Sequence, residues 1–399
     1  MWSLLPQLSW GGSWHLESKI KPLGLSPKQI VFVNQSAGYL MIDIVQAFKE
    51  EYAERVLVTG WLNPRNRSLD RDVKLEKTIA YDRSSGMKRI LTWSLAFLKA
   101  IWLIKTTYRK ADLFLVSNPP FATLIPLFVN NPYKILIYDI YPDALVEFGY
   151  FKKGSLLIRM WEKSNRRVFA KAQKVYTLTK EMKSRVGQYT ESKKIEVVPI
   201  WTDNDFLKPI LKSNNPFIKQ MGWEDKFIVM YSGNLGKSHP VEILFELAKQ
   251  CEQPEIHFVI IGGGDKYEMI NQRILDADLT NIILLPWQAT EILPYSLAGG
   301  DLAIVTLGEE AAELSIPSKT FNLMSVGVPI LGISPSSSAL AELIKSEKIG
   351  LNFESTQVEK VMKSIIDLYK NPQIRRNMAE NALSCSLNFG PENAEIFTK

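Results

Sequence analysis

Cysteine is nearly absent from this chain: Cys251 and Cys385 are the two in 399 residues, and neither sits in a CxxC pattern. That excludes a disulfide framework and makes a reducing cytoplasm the simplest home. Histidine is equally scarce. His15, His239 and His257 have no metal-ligand spacing, so no protein-built metal site is expected. No long uninterrupted apolar run occurs either. The most apolar stretch, Ile90 to Ile104, is broken by Lys99, which argues against a spanning helix. The first 26 residues are rich in Trp, Ser, Gly and Pro but lack the apolar core of a secretory signal, and read as an irregular extension. Nucleic acid is not an expected partner, since no recognised module or aromatic RNP-like pattern accompanies the basic charge.

What is present is enough apolar material for two domain cores, with 46% hydrophobic and 23% charged side chains. The net charge of +6 hides an asymmetry. Residues 1–200 hold 31 Lys+Arg against 17 Asp+Glu, whereas residues 201–399 hold 17 against 25. A basic half joined to an acidic half suggests surfaces with different partners, or simply two separately solvated domains.

From Lys28 the pattern alternates strand, loop and helix. Strands are expected at Gln29–Val33, Arg55–Thr59, Leu113–Ser117, Lys134–Tyr138, Lys174–Leu178 and Ile195–Pro199, with a first helix running to about Tyr52. After a break at Trp201–Phe206 and a Pro/Asn-rich stretch, a second series starts at Lys226 and continues through Ile256–Ile261, Ile282–Leu285, Leu302–Thr306 and Pro329–Ile333. Alternating β and α imply parallel, doubly wound sheets. The expected organisation is an extension over 1–27, a domain over 28–206, a linker over 207–224 and a second domain over 225–399.

Two motifs in the second half point to phosphate. Phe227-Ile-Val-Met-Tyr-Ser-Gly-Asn-Leu-Gly-Lys-Ser-His-Pro240 is an apolar strand leaving through a glycine loop that lets backbone approach a ligand, with Lys237 as a cation beside it. Ser315-Ile-Pro-Ser-Lys-Thr-Phe-Asn-Leu-Met-Ser-Val-Gly327 reads as a loop and a helix, with Ser315 as candidate cap, Pro317 in the first turn and a stop at Gly327. Such a helix turns its free N–H groups toward the carboxyl edge of the preceding strand, where open α/β folds bind nucleotides.

With Phe258-Val-Ile-Ile-Gly-Gly-Gly264 between them, these segments resemble the donor-binding half of retaining GT-B glycosyltransferases of family 4, in the bacterial polysaccharide and lipid-linked glycan branch. The resemblance covers the chain from about residue 28. It implies an α/β fold of the GT-B type: two tandem Rossmann-like domains with a cleft between them. The donor would be a nucleotide sugar, UDP in preference to GDP, and no cofactor or metal would be required.

The resemblance also places candidate residues. Gly233, Asn234, Gly236 and Lys237 form the loop that meets the diphosphate; the family's Arg position reads Asn234, leaving Lys237 as the main cation and Lys319 as a second. Ser318, Lys319 and Thr320 sit at the helix start. Asn322 takes the place of the glutamate that holds the ribose, and Glu313 is the best substitute for its partner on the sugar, with Glu309 and Glu310 as runners-up. Trp287 is placed to meet the base, although core packing accounts for it as well. In the first domain, Gly38 matches a loop glycine that closes over donor and acceptor, unless it only serves a tight turn. Asp139, in Asp139-Ile-Tyr-Pro-Asp143, faces the transferred sugar or acceptor; Asp143 and, less so, Asp139 could instead cap a helix.

Ile90–Ile104, flanked by Lys88, Arg89, Lys105, Arg109 and Lys110, fits either a buried domain helix or an amphipathic helix on an anionic membrane. The combined expectation is a glycosyltransferase moving a sugar to a lipid-linked or polysaccharide acceptor, cytoplasmic and peripheral on the inner face of the cell membrane. Its rivals are a nucleotide-sugar epimerase, a non-catalytic partner subunit and a membrane-surface scaffold.

Overall fold

A computed structural model describes residues 28–399 apart from Arg83, Phe148, Lys237, Ser238 and residues 313–315, and gives no side chain for Glu310. The expected extension over 1–27, Lys237, Glu313 and the candidate cap Ser315 therefore lie outside the described residues.

The first unit contains strands β1 (Gln29–Val33), β2 (Ser36–Gly38), β3 (Glu54–Thr59), β4 (Trp61–Asn63), β5 (Val73–Lys77), β6 (Asp112–Val116), β7 (Tyr133–Leu136), β8 (Lys174–Thr177) and β9 (Ile195–Val197). Its helices are α1 (Tyr39–Ala47), α2 (Gly86–Thr106), α3 (Asp143–Glu147), α4 (Leu156–Lys171) and α5 (Lys180–Val186). Seven of the strands form one parallel sheet in the order β5, β3, β1, β6, β7, β8, β9, while β2 and β4 pair separately. Ile30–Val33 and Leu113–Val116 are buried, as central strands covered on both faces require. The edge strand β5, Val-Lys-Leu-Glu-Lys, is mostly exposed and charged, so its apolar pattern is too thin to read from sequence.

The second unit opens with α6 (Pro216–Met221), followed by α7 (Glu242–Gln250), α8 (Tyr267–Asp276), α9 (Leu293–Ala298), α10 (Lys319–Ser325), α11 (Ala339–Glu347), α12 (Val358–Lys370) and α13 (Pro372–Ser386). Its strands β10 (Phe227–Asn234), β11 (Ile256–Gly263), β12 (Ile282–Leu285), β13 (Leu302–Thr306), β14 (Ile330–Ile333) and β15 (Gly350–Phe353) form a parallel sheet in the order β12, β11, β10, β13, β14, β15.

Two boundaries differ from expectation. Part of the 207–224 linker is structured and belongs with the second unit: Asn215 caps α6 through Phe217 N and Ile218 N, and its Nδ2 donates to Tyr295 O at 2.8 Å. The end of the chain, conversely, returns to the first unit. Phe397 packs against Phe114 and Tyr176 with ring centroids 5.4 and 4.7 Å apart, and Lys134 Nζ donates to its carbonyl at 2.7 Å. A run of 225–399 is thus a contiguous stretch of sequence but not one packing unit, because Phe397 fills an aromatic core left open on the first sheet. The chain crosses between units at Trp201–Phe206 and again near Phe389, where Thr202 N donates to Phe389 O at 3.1 Å.

In each sheet the strand order reverses direction beside the first strand, between β1 and β6 and between β10 and β13. Ligands of open α/β sheets bind in the crevice outside such a point. The loops leaving β1, β7, β10 and β13 carry nearly all the candidate residues of the sequence.

Candidate active site

The floor of the second unit's crevice is built from glycine because two strand ends almost touch. A Cβ on Gly262 would lie 1.9 Å from Gly233 O, so no side chain fits where β10 and β11 run out. Tyr231, buried in β10, donates from its hydroxyl to Asn234 O at 2.7 Å and pins the turn. Asn234 itself is wedged between glycines: Cβ atoms on Gly236 and Gly264 would come 2.7 Å from its Nδ2 and Oδ1. The far end of the loop is anchored by Lys266, whose Nζ donates to His239 O at 2.8 Å and pairs with Glu242 at 2.8 Å.

Lys319 enters this floor from α10. Its ammonium is buried, has no hydrogen-bond partner among the described residues and sits 3.9 Å from the centroid of the Tyr231 ring. A Cβ on Gly233 would be 2.8 Å from Nζ, so the glycine provides the space the cation fills. Burial pushes the Lys319 pKa down to about 7. His239 lies close enough to feel that charge. Burial first, then Lys319, lower its pKa to about 4, and Nδ1 lies 3.1 Å from Thr306 O. An unpaired buried cation is costly unless something anionic arrives, and a glycine floor leaves room for it.

Around this point the other candidates take distinct places. Ser318 is exposed and precedes α10, which starts at Lys319, so Pro317 lies outside the helix instead of in its first turn; Pro317 O accepts from Thr320 N at 3.0 Å. Gly327 ends the helix in a left-handed conformation at φ 71°, as expected. Thr320 is buried, with no partner for its hydroxyl among the described residues. Asn322 Oδ1 accepts from Thr202 Oγ1 at 2.7 Å, which ties the proposed ribose residue to the interdomain crossing. Trp287 is 59% exposed, which removes core packing as its explanation; a Cβ on Gly263 would lie 2.9 Å from its Nε1. Of the glutamate runners-up, Glu309 and Glu310 fall in a short 3₁₀ turn that lies against α3 of the first unit.

Opposite, Asp139 stands just beyond β7, where Tyr138 N and Asp139 N both donate to Ser117 Oγ at 3.0 and 3.2 Å. Its side chain lines a pocket with Ser117, Thr123, Ile137, Ile140, Tyr141 and Phe169. Solvent reaches the carboxylate, yet the walls around it strip enough water to push its pKa up to about 6. Water that does reach it screens part of that shift. Asp143 has a different job: buried at the start of α3, it accepts from Arg185 Nε at 2.8 Å, Gln188 Nε2 at 2.8 Å and the Tyr189 hydroxyl. Gly38 precedes α1 at φ −125°, and a Cβ there would meet only Asn63 O at 3.7 Å, so no tight turn demands the glycine.

Tyr231, Thr306 and His239 did not stand out in the sequence. The first two are ordinary strand residues until the fold places Tyr231 under Lys319 and Thr306 beside His239. His239 carried only the signal of a polar residue closing a glycine loop.

Two parallel α/β units, each with a switch point, and a glycine floor in the crevice of the second, are the architecture of GT-B glycosyltransferases. The profile of the family described as "Glycosyl transferases group 1" matches residues 213–384. That match assigns a domain of this group to residues 213–384, the greater part of the second unit. Among curated proteins it is similar to the probable glycosyltransferase WbjE of Pseudomonas aeruginosa, 23% identical over 67% of this chain and 70% of that protein. Among solved structures, Anabaena HepE in complex with UDP superposes with a TM-score of 0.69 at 15% identity, covering 93% of this chain and 98% of the other. WaaG, a glycosyltransferase involved in lipopolysaccharide biosynthesis, gives 0.67 at 14% identity, covering 92% and 99%.

Proposed function

We propose that this enzyme transfers a sugar, with retention of anomeric configuration and without a metal, from a UDP-sugar to a lipid-linked glycan at an anionic membrane surface. The observation that carries the reading is the Lys319 ammonium, without a hydrogen-bond partner among the described residues, held at the glycine floor of the second unit. The bond between the anomeric carbon and the diphosphate oxygen breaks as negative charge gathers on the diphosphate. Lys319, together with Lys237 of the glycine loop, meets that charge where it develops. The acceptor hydroxyl bonds to the anomeric carbon from the same face, and its proton passes to the departing diphosphate oxygen.

Asp139 holds the sugar or acceptor from the first unit, with Gly38 giving backbone access beside it, and Glu313 grips the sugar hydroxyls. Asn322 contacts the ribose and Trp287 the base; Gly233, Gly236, Ser318 and Thr320 line the diphosphate. UDP as donor is supported by the UDP seen in HepE, and a lipid-anchored acceptor by the stated role of WaaG. Nucleotide release should be scored across a panel of UDP- and GDP-sugars, with EDTA present, using lipid-extracted acceptors. Release from a UDP-sugar that rises with acceptor supports the proposal. Consumption of donor without any acceptor-linked product, or abolition by EDTA, contradicts it.

A further inference from the structure

We propose that α2, the 3₁₀ segment Pro120–Leu127 and the first turns of α4 form one docking platform for an anionic lipid bilayer, bordering the mouth of the cleft. The platform extends the lipid-linked acceptor reading above and supplies the surface on which that acceptor is met.

On α2, Met87, Leu91, Leu95, Leu98 and Trp102 recur at intervals of three and four residues, which sets them on one helix face, and all five are exposed. The opposite face, with Ala96, Ala100 and Leu103, is buried. A surface helix ordinarily turns its polar side outward. Here the outward side is apolar, with Met87 84% and Trp102 59% exposed. The start of α4 repeats the arrangement: Leu156, Leu157 and Met160 are exposed while Ile158 and Trp161 are buried.

The two faces join through one aromatic ring. Phe121, in the segment between the helices, lies 6.4 Å from Trp93 and 6.2 Å from Phe97 of α2, and 5.2 Å from Trp161 of α4. Exposed Ile90 lies one turn before Trp93, and exposed Leu157 one turn before Trp161. Each apolar face therefore begins at the side that grips Phe121. Exposed Phe128, 5.8 Å from Phe97, continues the surface between them. A contiguous apolar area of this kind is unusual on a monomer and marks an interaction surface.

Charge selects the occupant. Lys105, Arg109, Lys152, Lys153, Lys163 and Arg167 are exposed on and beside the two helices, whose sequences contain a single carboxylate, Glu162. A second copy of the chain would bring these like charges face to face, whereas anionic headgroups would neutralise them while the apolar side chains enter the acyl boundary. Placement agrees with the chemistry. Helices that connect parallel strands begin at the strands' carboxyl ends, so Met87 and Leu156 lie toward the edge that carries Asp139. An acceptor anchored in the bilayer thus reaches the cleft without leaving the surface.

The full chain should sediment with phosphatidylcholine vesicles containing phosphatidylglycerol and detach as salt rises. Leu157→Gln combined with Met160→Gln should weaken partitioning by about tenfold, as should Leu91→Gln with Leu98→Gln, because each pair removes apolar area from the boundary. Far-UV circular dichroism should be unchanged, since all four positions are exposed. Parent-like partitioning of the α4 pair would overturn the platform, as would equal binding to pure phosphatidylcholine, or a parent dimer in sedimentation velocity that these substitutions dissolve. UDP release from UDP-sugars, measured alongside, separates the two ideas. Turnover without vesicle binding removes the platform alone, and vesicle binding without turnover of any nucleotide sugar removes the functional reading alone.

Discussion

Lys319 Nζ rests 3.9 Å from the centre of the Tyr231 ring, in space that exists because residue 233 has no side chain. The aromatic face offers the ammonium a weak electrostatic partner but no hydrogen bond, which leaves the cation available to a ligand. Lys319→Ala should lower turnover by about 10- to 1000-fold, the scale of losing one contact to a developing anion. It should not lower the melting temperature, because the variant removes a desolvated charge that no described residue pairs. Loss of folding with loss of activity would instead make Lys319 a structural residue.

On the proposed function, the same ammonium links UDP binding to pH. In the free protein burial holds Lys319 near 7, and a diphosphate beside it favours the charged form. UDP binding above pH 7 should then take up protons, visible as a buffer-dependent enthalpy in calorimetry. Affinity should weaken as pH rises above 7. Lys319→Ala should abolish this dependence, and a pH-independent parent affinity would argue against the contact.

Gly233→Ala adds one methyl where the ammonium now lies, 2.8 Å from Nζ. The atom displaced is the tip of a flexible side chain, but residue 233 also has φ 158°, a backbone that side-chain-bearing residues rarely adopt, so the variant should fold with some loss of stability. Its UDP affinity should fall about as far as that of Lys319→Ala, and the double variant should be no worse than either single one. Fully additive losses would show that the glycine serves the backbone and not the lysine.

Asp139, raised to about 6, gives a pH test on the opposite wall. If the carboxylate must be ionised to hold sugar or acceptor, kcat/KM should fall as pH drops through 6, and Asp139→Asn should lose both activity and that limb. Stability runs the other way. A carboxyl whose folded pKa lies above its unfolded value contributes most below pH 4 and loses that contribution as pH rises through 6. Asp139→Asn should therefore be as stable as the parent, or more so, at pH 8.

Much of this arrangement was legible in the sequence because it follows runs of buried residues. The strands through Phe32, Phe114, Tyr231 and Ile260 are apolar on both faces, and the glycine loop and the Pro-Ser-Lys segment announce themselves by residue type. What escaped lacked such a run. The edge strands β5 and β15 have too few buried positions, and the return of Phe397 to the first sheet is a long-range contact with no local signature. The surroundings of Lys319 were also hidden, because Gly233 and Tyr231 reach its ammonium only through the fold; Lys237 lies outside the described residues.

Asp143 separates structure from catalysis within one motif. Its carboxylate accepts from Arg185, Gln188 and Tyr189 in a buried setting, so Asp143→Ala should cost about 2 to 4 kcal/mol of stability by denaturant unfolding. UDP affinity, which the proposed function assigns to the other unit, should be unchanged. A folded Asp143→Ala protein of parent stability would show that the network is dispensable.

The most direct test of the account is calorimetric titration of the full chain with UDP in the presence of EDTA, for the parent and for Lys319→Ala. The account predicts one metal-independent site in the parent and an affinity weakened by at least about tenfold in the variant. No heat of binding from UDP or GDP at millimolar concentration, or identical affinities for the two proteins, would contradict it.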